Sequence, residues 1–228
     1  MTLRERPDDG CAGRESAAPS ATARGAGMQI FRYGEAETAY LKRRDAKLGA
    51  AIDRIGLIER EVTPVPFEAL VRCVVDQQIS TKAARTVRER LHALAGGVTP
   101  ERIAALSADE IQKCGMTMKK AVTIAGIANA VLSGELDPDA LRGLPDDDVV
   151  ARLTALDGVG LWTAEMILIF ALGRRDVVSW GDLAIRRGMT RLYGLETLTR
   201  EQFLRYRKRY SPHGSVASLY LWAVAAGR

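Results

Sequence analysis

The sequence of 228 residues predicts an all-α protein, and three observations favour this class. Apolar residues recur at the three- and four-residue spacing of amphipathic helices. Residue pairs typical of helix starts, such as a Ser or Thr followed three positions later by Glu or Gln, recur along the chain. No segment shows the alternation of apolar and polar residues that is typical of paired strands. We therefore expect about ten helices with short connections.

The elements can be justified in chain order. Residues 1–28 are rich in Ala, Gly, Ser, Pro and Arg and hold few large apolar side chains, so we expect a disordered tail there. Helical signals begin near Tyr33. The clearest helix follows Pro66, because five apolar residues share one face of it. They are Phe67, Leu70, Val71, Val74 and Val75.

Further helix starts are indicated by capping residues. The pairs are Thr99 with Pro100, Ser107 with Glu110, Thr199 with Gln202, and Ser211 with Pro212. An apolar-periodic segment over 118–132 predicts a long helix that ends before Gly134. The acids in 144–148 favour a helix start there, because negative charge is stabilised at a helix N-terminus.

A short glycine-rich turn separates two predicted helices. One helix ends near Ala155 and the next begins at Leu161, with Gly158, Val159 and Gly160 between them. The glycines permit positive φ and close approach of another backbone, while Val159 can anchor the turn in the core. Free amides at the following helix start suit a phosphate oxygen. An ordinary helix–helix turn is the alternative interpretation.

Charge and cysteine content narrow the class of protein. The net charge is +5, and residues 174–209 hold ten Lys and Arg against four Asp and Glu, which favours a polyanion such as nucleic acid. Cys11, Cys73 and Cys114 are widely separated, which fits reduced thiols and gives neither a disulfide framework nor a zinc spacing. No apolar run reaches membrane length, so we expect a cytoplasmic protein without membrane contact.

Three segments together resemble the helix-hairpin-helix DNA glycosylase superfamily, and within it the 3-methyladenine DNA glycosylase II branch of alkylation repair. They are LDGVGLWTAEMILIFALGRRDVVSWGDLAIRRG (156–188), FEALVRCVVDQQISTKAARTVRERL (67–91) and SVASLYLW (215–222). The resemblance implies two helical subdomains flanking a cleft for DNA and a flipped base. We assign 29–66 with 176–228 to one subdomain and 67–175 to the other, with the helix-hairpin-helix at about 145–172.

The resemblance also implies the chemistry. Asp182 matches the family's catalytic carboxylate, which stabilises positive charge on the deoxyribose and orients water; capping of the next helix is its alternative or additional role. Trp162 stands where relatives that also cut the strand have a lysine nucleophile, so hydrolysis without strand cleavage is implied. No cysteine follows Cys114, so no iron–sulfur cluster is expected, and no cofactor is required.

The remaining site residues are also implied by the resemblance. Those expected in the base pocket are Trp162, Met166 and Trp222, for which a place in the core is the alternative. Gln78 is expected to enter the duplex as a wedge, unless its turn is merely solvated. Residues expected at phosphates are Gly158, Gly160 and Arg186. Backbone carbonyls expected to hold a structural Na⁺ or K⁺ ion belong to Thr154, Leu156 and Val159.

The sequence thus predicts a monofunctional DNA glycosylase of base excision repair. Its expected substrates are 3-methyladenine and 7-methylguanine in double-stranded DNA, and its product is an abasic site. Two alternatives stay open: a glycosylase for an oxidised, deaminated or mismatched base, and a non-catalytic helix-hairpin-helix DNA-binding protein. We expect a monomer in the cytoplasm, associated with the nucleoid if the organism is bacterial.

Overall fold

The computed structural model describes residues 29–228, and the tail expected over 1–28 lies outside the described residues. Within 29–228 it contains twelve α-helices and one 3-10 helix, Ala140–Gly143. The α-helices are α1 Glu35–Arg44, α2 Ala46–Ile55, α3 Pro66–Asp76, α4 Thr81–Ala95, α5 Pro100–Ala104, α6 Ala108–Gln112, α7 Met118–Leu132, α8 Asp146–Thr154, α9 Leu161–Phe170, α10 Leu183–Tyr193, α11 Arg200–Tyr210 and α12 Gly214–Ala225. The extended pairing in this range is one isolated bridge, Ile30 with Glu61. The all-α prediction is confirmed.

Most predicted helix starts are also confirmed. The Thr99 side chain caps α5, and complete capping boxes begin α6 at Ser107 and α11 at Thr199. The prediction was wrong by a few residues at α12, which begins at Gly214. Ser211 instead ends α11, and the Gly214 amide donates to the Asp176 carboxylate at 3.1 Å, which fixes the start of α12 there.

The helices pack in two groups. The central group consists of α3 to α9, in which α7 contacts α3, α5 and α6, and α9 contacts α3 and α8. The terminal group consists of α1, α2, α10, α11 and α12, so it combines helices from both ends of the described chain. The subdomain boundaries at residues 67 and 176 stay a prediction, since packing alone does not define them.

The closest helix packing in the terminal group occurs at Gly188 of α10. A Cβ atom added at Gly188 would lie 2.2 Å from the backbone oxygen of Leu221 in α12. No side chain larger than hydrogen fits without moving one helix, because protein interiors are close-packed. This contact places the N-terminus of α10 at a fixed distance from α12.

A buried carboxylate, Asp45, ties three elements of the terminal group together. One oxygen accepts the Leu48 amide at 3.0 Å and caps α2. The other accepts the Tyr193 hydroxyl at 2.7 Å and the Arg209 guanidinium at 3.0 Å. Asp45 is only 4% exposed. These donors therefore replace the hydrogen bonds to water that the carboxylate loses on burial.

Among the helices of residues 29–228, none is both long enough and apolar enough to cross a lipid bilayer.

Candidate active site

Asp182 lies at the N-terminus of α10, with both oxygens held. Its Oδ1 accepts the Ile185 amide at 2.9 Å, so the predicted capping role is confirmed. Its Oδ2 accepts the indole Nε1–H of Trp162, on α9, also at 2.9 Å. The side chain is 8% exposed. The sequence therefore places a buried, oriented carboxylate where the central and terminal groups meet.

Trp162 and Met166 line one cavity of about 270 Å³, and Phe170 continues the same wall. These three residues follow one another at four-residue spacing, so they share one face of α9. Residues of α3 and α4, including Cys73 and Asp76, also line this cavity. The cavity combines this aromatic face with polar and charged side chains, and concave sites that join apolar walls to polar groups are where small ligands bind.

Trp222, expected in the base pocket, packs against a residue of the cavity wall. It stacks on Phe170, with ring centroids 5.6 Å apart and an interplanar angle of 28°. It is not among the described residues that line the cavity. Arg60 lies over the Phe170 ring, with its guanidinium carbon 5.1 Å from the centroid. Trp222 therefore supports the aromatic wall through Phe170.

The glycine hairpin has the predicted form, with one difference. Gly158 has φ of 80°, and a Cβ there would lie 2.1 Å from the Thr123 hydroxyl on α7. Val159 is buried, as expected for the anchor of the turn. Gly160 has φ of −95° and no side-chain cap, so positive φ occurs only at the first glycine. Gly160 leaves the first amides of α9 without a capping side chain, which suits an anion.

The turn between α3 and α4 is tied to the hairpin. The Gln77 amide donates to the Thr163 hydroxyl at 3.1 Å and to the Gly158 carbonyl at 3.4 Å. The Lys120 ammonium donates to the Gln77 carbonyl at 2.5 Å and so stabilises the turn. Gln78 is exposed and has φ of 54°, a conformation that is uncommon for residues other than glycine. The predicted wedge thus projects from a braced turn, and insertion into DNA stays a prediction.

Arg186, expected at a phosphate, packs on an aromatic ring next to Asp182. Its guanidinium carbon lies 5.2 Å from the centroid of Trp180, and Arg200 lies 5.0 Å from the same centroid. The ring and two cations form a surface beside the loop that carries Asp182. Contact of Arg186 with phosphate stays a prediction.

Sequence reasoning missed most of the polar wall of the cavity. Thr63 and Arg72 lie there, and the Arg72 guanidinium donates to the Thr63 hydroxyl at 2.9 Å. It also missed Phe170, although the helical spacing from Trp162 and Met166 was a usable signal. Thr63 and Arg72 carried no comparable signal, because they come from a loop and a helix that meet α9 only in the folded chain.

Burial in the cavity wall raises the pKa of Cys73 to about 12. The thiol therefore stays protonated near neutral pH and is not a nucleophile there, since the thiolate is the reactive form.

Replacing Trp162 by phenylalanine distinguishes the contribution of its aromatic ring from that of its hydrogen bond to Asp182. The variant keeps an aromatic ring in the cavity but removes the Nε1–H that holds Asp182 Oδ2. A hydrogen bond to a charged group contributes about 1.5–3 kcal/mol. If part of it orients the carboxylate, we expect a roughly tenfold lower single-turnover rate of base release, with unchanged affinity for DNA containing an abasic site. A rate within twofold of the wild type would show that the hydrogen bond does not matter.

Glu165 lies outside the cavity lined by Trp162 and Met166, in a second cavity of about 380 Å³ with Trp180 and Arg200. Burial raises its pKa, while the hydrogen bond from Ser179 and the nearby Arg200 act in the opposite direction. Because the folded pKa lies above the ordinary value of 4.5, the ionised group weakens stability at neutral pH.

The Glu165→Gln variant should therefore unfold about 2 °C higher than the wild type at pH 7. The stabilising contribution of the protonated wild-type carboxyl is complete below the ordinary value of 4.5 and is lost as pH rises through the raised pKa. The difference in Tm should accordingly vanish on acidification through this range. Thermal melts at several pH values measure it, and a lower Tm for the variant at pH 7 would contradict the expectation.

The donors expected for a monovalent cation are compatible with one. The Leu156 carbonyl accepts the Val159 amide at 3.1 Å and keeps a second lone pair, so it can still bind an ion. Backbone oxygens suit hard cations. In the described part of the chain, no cluster of three or more His, Cys, Asp or Glu residues offers an alternative metal site.

Comparison with known proteins agrees with this geometry. The family model described as "HhH-GPD superfamily base excision DNA repair protein" matches residues 71–212. DNA-3-methyladenine glycosylase 1 of Schizosaccharomyces pombe is 33% identical over 162 residues, which cover 69% of this chain and 71% of that protein. DNA-3-methyladenine glycosylase 2 of Escherichia coli is 29% identical over 167 residues, which cover 68% of this chain but only 56% of that protein.

Solved structures show the same fold. The 3-methyladenine DNA glycosylase Mag1 of S. pombe, in complex with abasic DNA, superposes with a TM-score of 0.77 at 29% identity, covering 82% of this chain and 95% of that one. A DNA-3-methyladenine glycosidase of Bacillus halodurans gives 0.75 at 35% identity, covering 87% and 93%. The family match spans both the hairpin and Asp182. The chain therefore belongs to the HhH-GPD superfamily of base excision DNA repair proteins.

Proposed function

We propose that this chain is a monofunctional DNA glycosylase that hydrolyses the N-glycosidic bond of alkylated purines, chiefly 3-methyladenine and 7-methylguanine, in double-stranded DNA. The observation that carries the proposal is the buried Asp182 carboxylate, oriented by the indole of Trp162, which itself lines an aromatic cavity. The names of the similar proteins support the same substrate class.

In the proposed reaction, the damaged nucleotide leaves the base stack and its base enters the cavity. The bond between C1′ and the base nitrogen breaks, and the electron pair leaves with the base. An alkylated purine already carries positive charge, so it departs as a neutral molecule and needs no strong acid. Asp182 stabilises the positive charge on the sugar, and water adds to C1′ as its proton passes to the carboxylate.

Strand cleavage is not part of the proposed activity. It requires an amine that forms a Schiff base with the sugar, and Trp162 occupies the position that a lysine would need. Lys120, near the α3–α4 turn, donates its ammonium hydrogens to the carbonyls of Val75 and Gln77. Its amine is therefore engaged with the backbone of the turn.

Base release from matched duplexes tests the proposal. Duplexes containing 7-methylguanine, hypoxanthine or 8-oxoguanine, together with methylated DNA as the source of 3-methyladenine, are incubated with the protein. Free bases are separated and the DNA strands are checked for breaks before alkali treatment. Release of the methylated purines with intact strands is expected. Faster release of another base supports the alternative glycosylase, and tight binding without release of any base supports a non-catalytic DNA-binding protein.

The proposal includes the surroundings of the site. Gly158, Gly160 and Arg186 contact phosphates, Gln78 fills the gap left by the flipped nucleotide, and the carbonyls of Thr154, Leu156 and Val159 hold Na⁺ or K⁺ against a phosphate. The protein acts as a monomer in the cytoplasm, on the nucleoid in a bacterial cell. DNA affinity that falls when K⁺ and Na⁺ are replaced by choline at constant ionic strength supports the cation.

A further inference from the structure

Asp76 brings a carboxylate to the cavity that Trp162, Met166 and Phe170 of α9 also line. It is the last residue of α3, and its side chain is 33% exposed, so the group is not sealed in the core. Arg88 of α4 pairs with Oδ1. Within residues 29–228, no other hydrogen bond reaches this carboxylate, which leaves Oδ2 as a free acceptor.

The other charged groups around the cavity are already engaged or lie at its mouth. Arg88 pairs with Asp76, Arg72 donates to the Thr63 hydroxyl, and Arg60 stacks on Phe170. Glu61 is exposed at the bridge with Ile30. Asp76 is thus a half-buried carboxylate of this cavity with an acceptor oxygen that no described group occupies.

A carboxylate in this cavity distinguishes bases by their hydrogen-bond donors and their charge. It accepts hydrogen bonds from N–H groups and attracts positive charge, whereas it repels the lone pairs of a carbonyl oxygen. Cationic 3-methyladenine carries its amino group at C6, whereas 7-methylguanine, also cationic, has a carbonyl at C6 and its amino group at C2. In 1,N6-ethenoadenine the nitrogen at C6 is closed into a third ring and has no hydrogen to donate.

We propose that Asp76 is a specificity-determining residue that accepts a hydrogen bond from the C6 amino group of cationic 3-methyladenine. This inference rests on the proposed function and adds the feature of the base that is selected. Trp162 and Phe170 bind the face of the ring, and Asp76 binds its edge.

The test is the Asp76→Asn variant, which has nearly the same shape. Because the Arg88 guanidinium is only a donor, it should keep the oxygen of the introduced amide as its partner. The NH₂ group of that amide then faces the base, where it meets the amino group, which is also a donor. Single-turnover release of 3-methyladenine should fall about 10- to 100-fold, the factor that corresponds to a hydrogen bond to a charged group. Release of 1,N6-ethenoadenine should stay within about threefold of its wild-type rate, however slow that rate is.

Matched variants separate this role from a structural one. Glu68→Gln makes the same chemical change on α3, two turns away and outside the base cavity, and should leave both rates unchanged. Asp76→Glu keeps a carboxylate and should restore part of the 3-methyladenine rate. Affinity for a duplex with an abasic-site analogue should be equal in all variants, because no base is present to contact Asp76.

Two results would overturn the inference while leaving the proposed function standing. One is release of 3-methyladenine by Asp76→Asn within threefold of the wild type. The other is an equal loss for both lesions accompanied by weaker binding of the abasic analogue, which would assign Asp76 a structural role through Arg88. If the wild type itself releases no alkylated purine, the proposed function fails, and this inference fails with it.

Discussion

The Asp182→Asn variant should release alkylated purines at least about 100-fold more slowly than the wild type in single-turnover assays. The change removes the negative charge that stabilises the sugar cation but keeps an oxygen that can cap α10. Asparagine is as good a helix cap as aspartate. With that oxygen on the Ile185 amide, the new NH₂ group faces the Trp162 Nε1–H, donor against donor, so this hydrogen bond is lost and we expect Tm to fall by about 4 °C.

The same change at an exposed site serves as the control for this variant. Asp109→Asn on α6 replaces a carboxylate outside both cavities and should leave the rate of base release unaltered. If Asp182→Asn kept a rate within threefold of the wild type while folding normally, Asp182 would be a helix cap without a catalytic role. Binding of abasic DNA by both variants shows that the DNA-binding surface is intact.

The largest expected loss of stability is at Asp45. Replacing it by alanine removes the cap of α2 and leaves the buried Tyr193 hydroxyl with only the Tyr210 hydroxyl as a partner. Removing one partner of a buried charged network costs about 3–5 kcal/mol. We expect the free energy of unfolding to fall by this amount, measured by denaturation in urea.

Asp53 on the same helix provides the comparison for Asp45→Ala. It pairs with Lys42, and its side chain is 65% exposed. Exposed ion pairs contribute about 0–1 kcal/mol, so Asp53→Ala should cost no more than this. Equal losses in the two variants would mean that the buried hydrogen bonds of Asp45 do not stabilise the fold.

Local signals in the sequence predicted most of the fold. The apolar face following Pro66 and the capping box at Ser107 act over a few residues, and they specified α3 and α6 correctly. The start of α12 was misplaced because it depends on Asp176, which is 38 residues away from Gly214 in the chain. A long-range hydrogen bond of this kind leaves no periodic pattern in the sequence.

In the candidate site, too, local features could be predicted from the sequence and contacts between distant residues could not. Trp162, Met166 and the capping role of Asp182 could be predicted because they belong to short motifs. The hydrogen bond between Trp162 and Asp182 joins residues on different elements, and the Asp76 carboxylate reaches the cavity only when α3 packs against α9. The role of Trp222 in the base pocket stays a prediction, and its motif does not reveal that it stacks on Phe170.

The terminal group, built from helices at both ends of the described chain, has a consequence for biosynthesis. Helices α3 to α9 emerge from the ribosome in one stretch and contact mainly one another, so they can fold while α10 to α12 are still being translated. The early helices α1 and α2 must wait for α10 and α12 before their apolar faces are covered. Asp182, the N-cap of α10, therefore reaches its final position only after α10 and α12 have been translated, and a chain that lacks these helices holds the glycine hairpin without the assembled carboxylate.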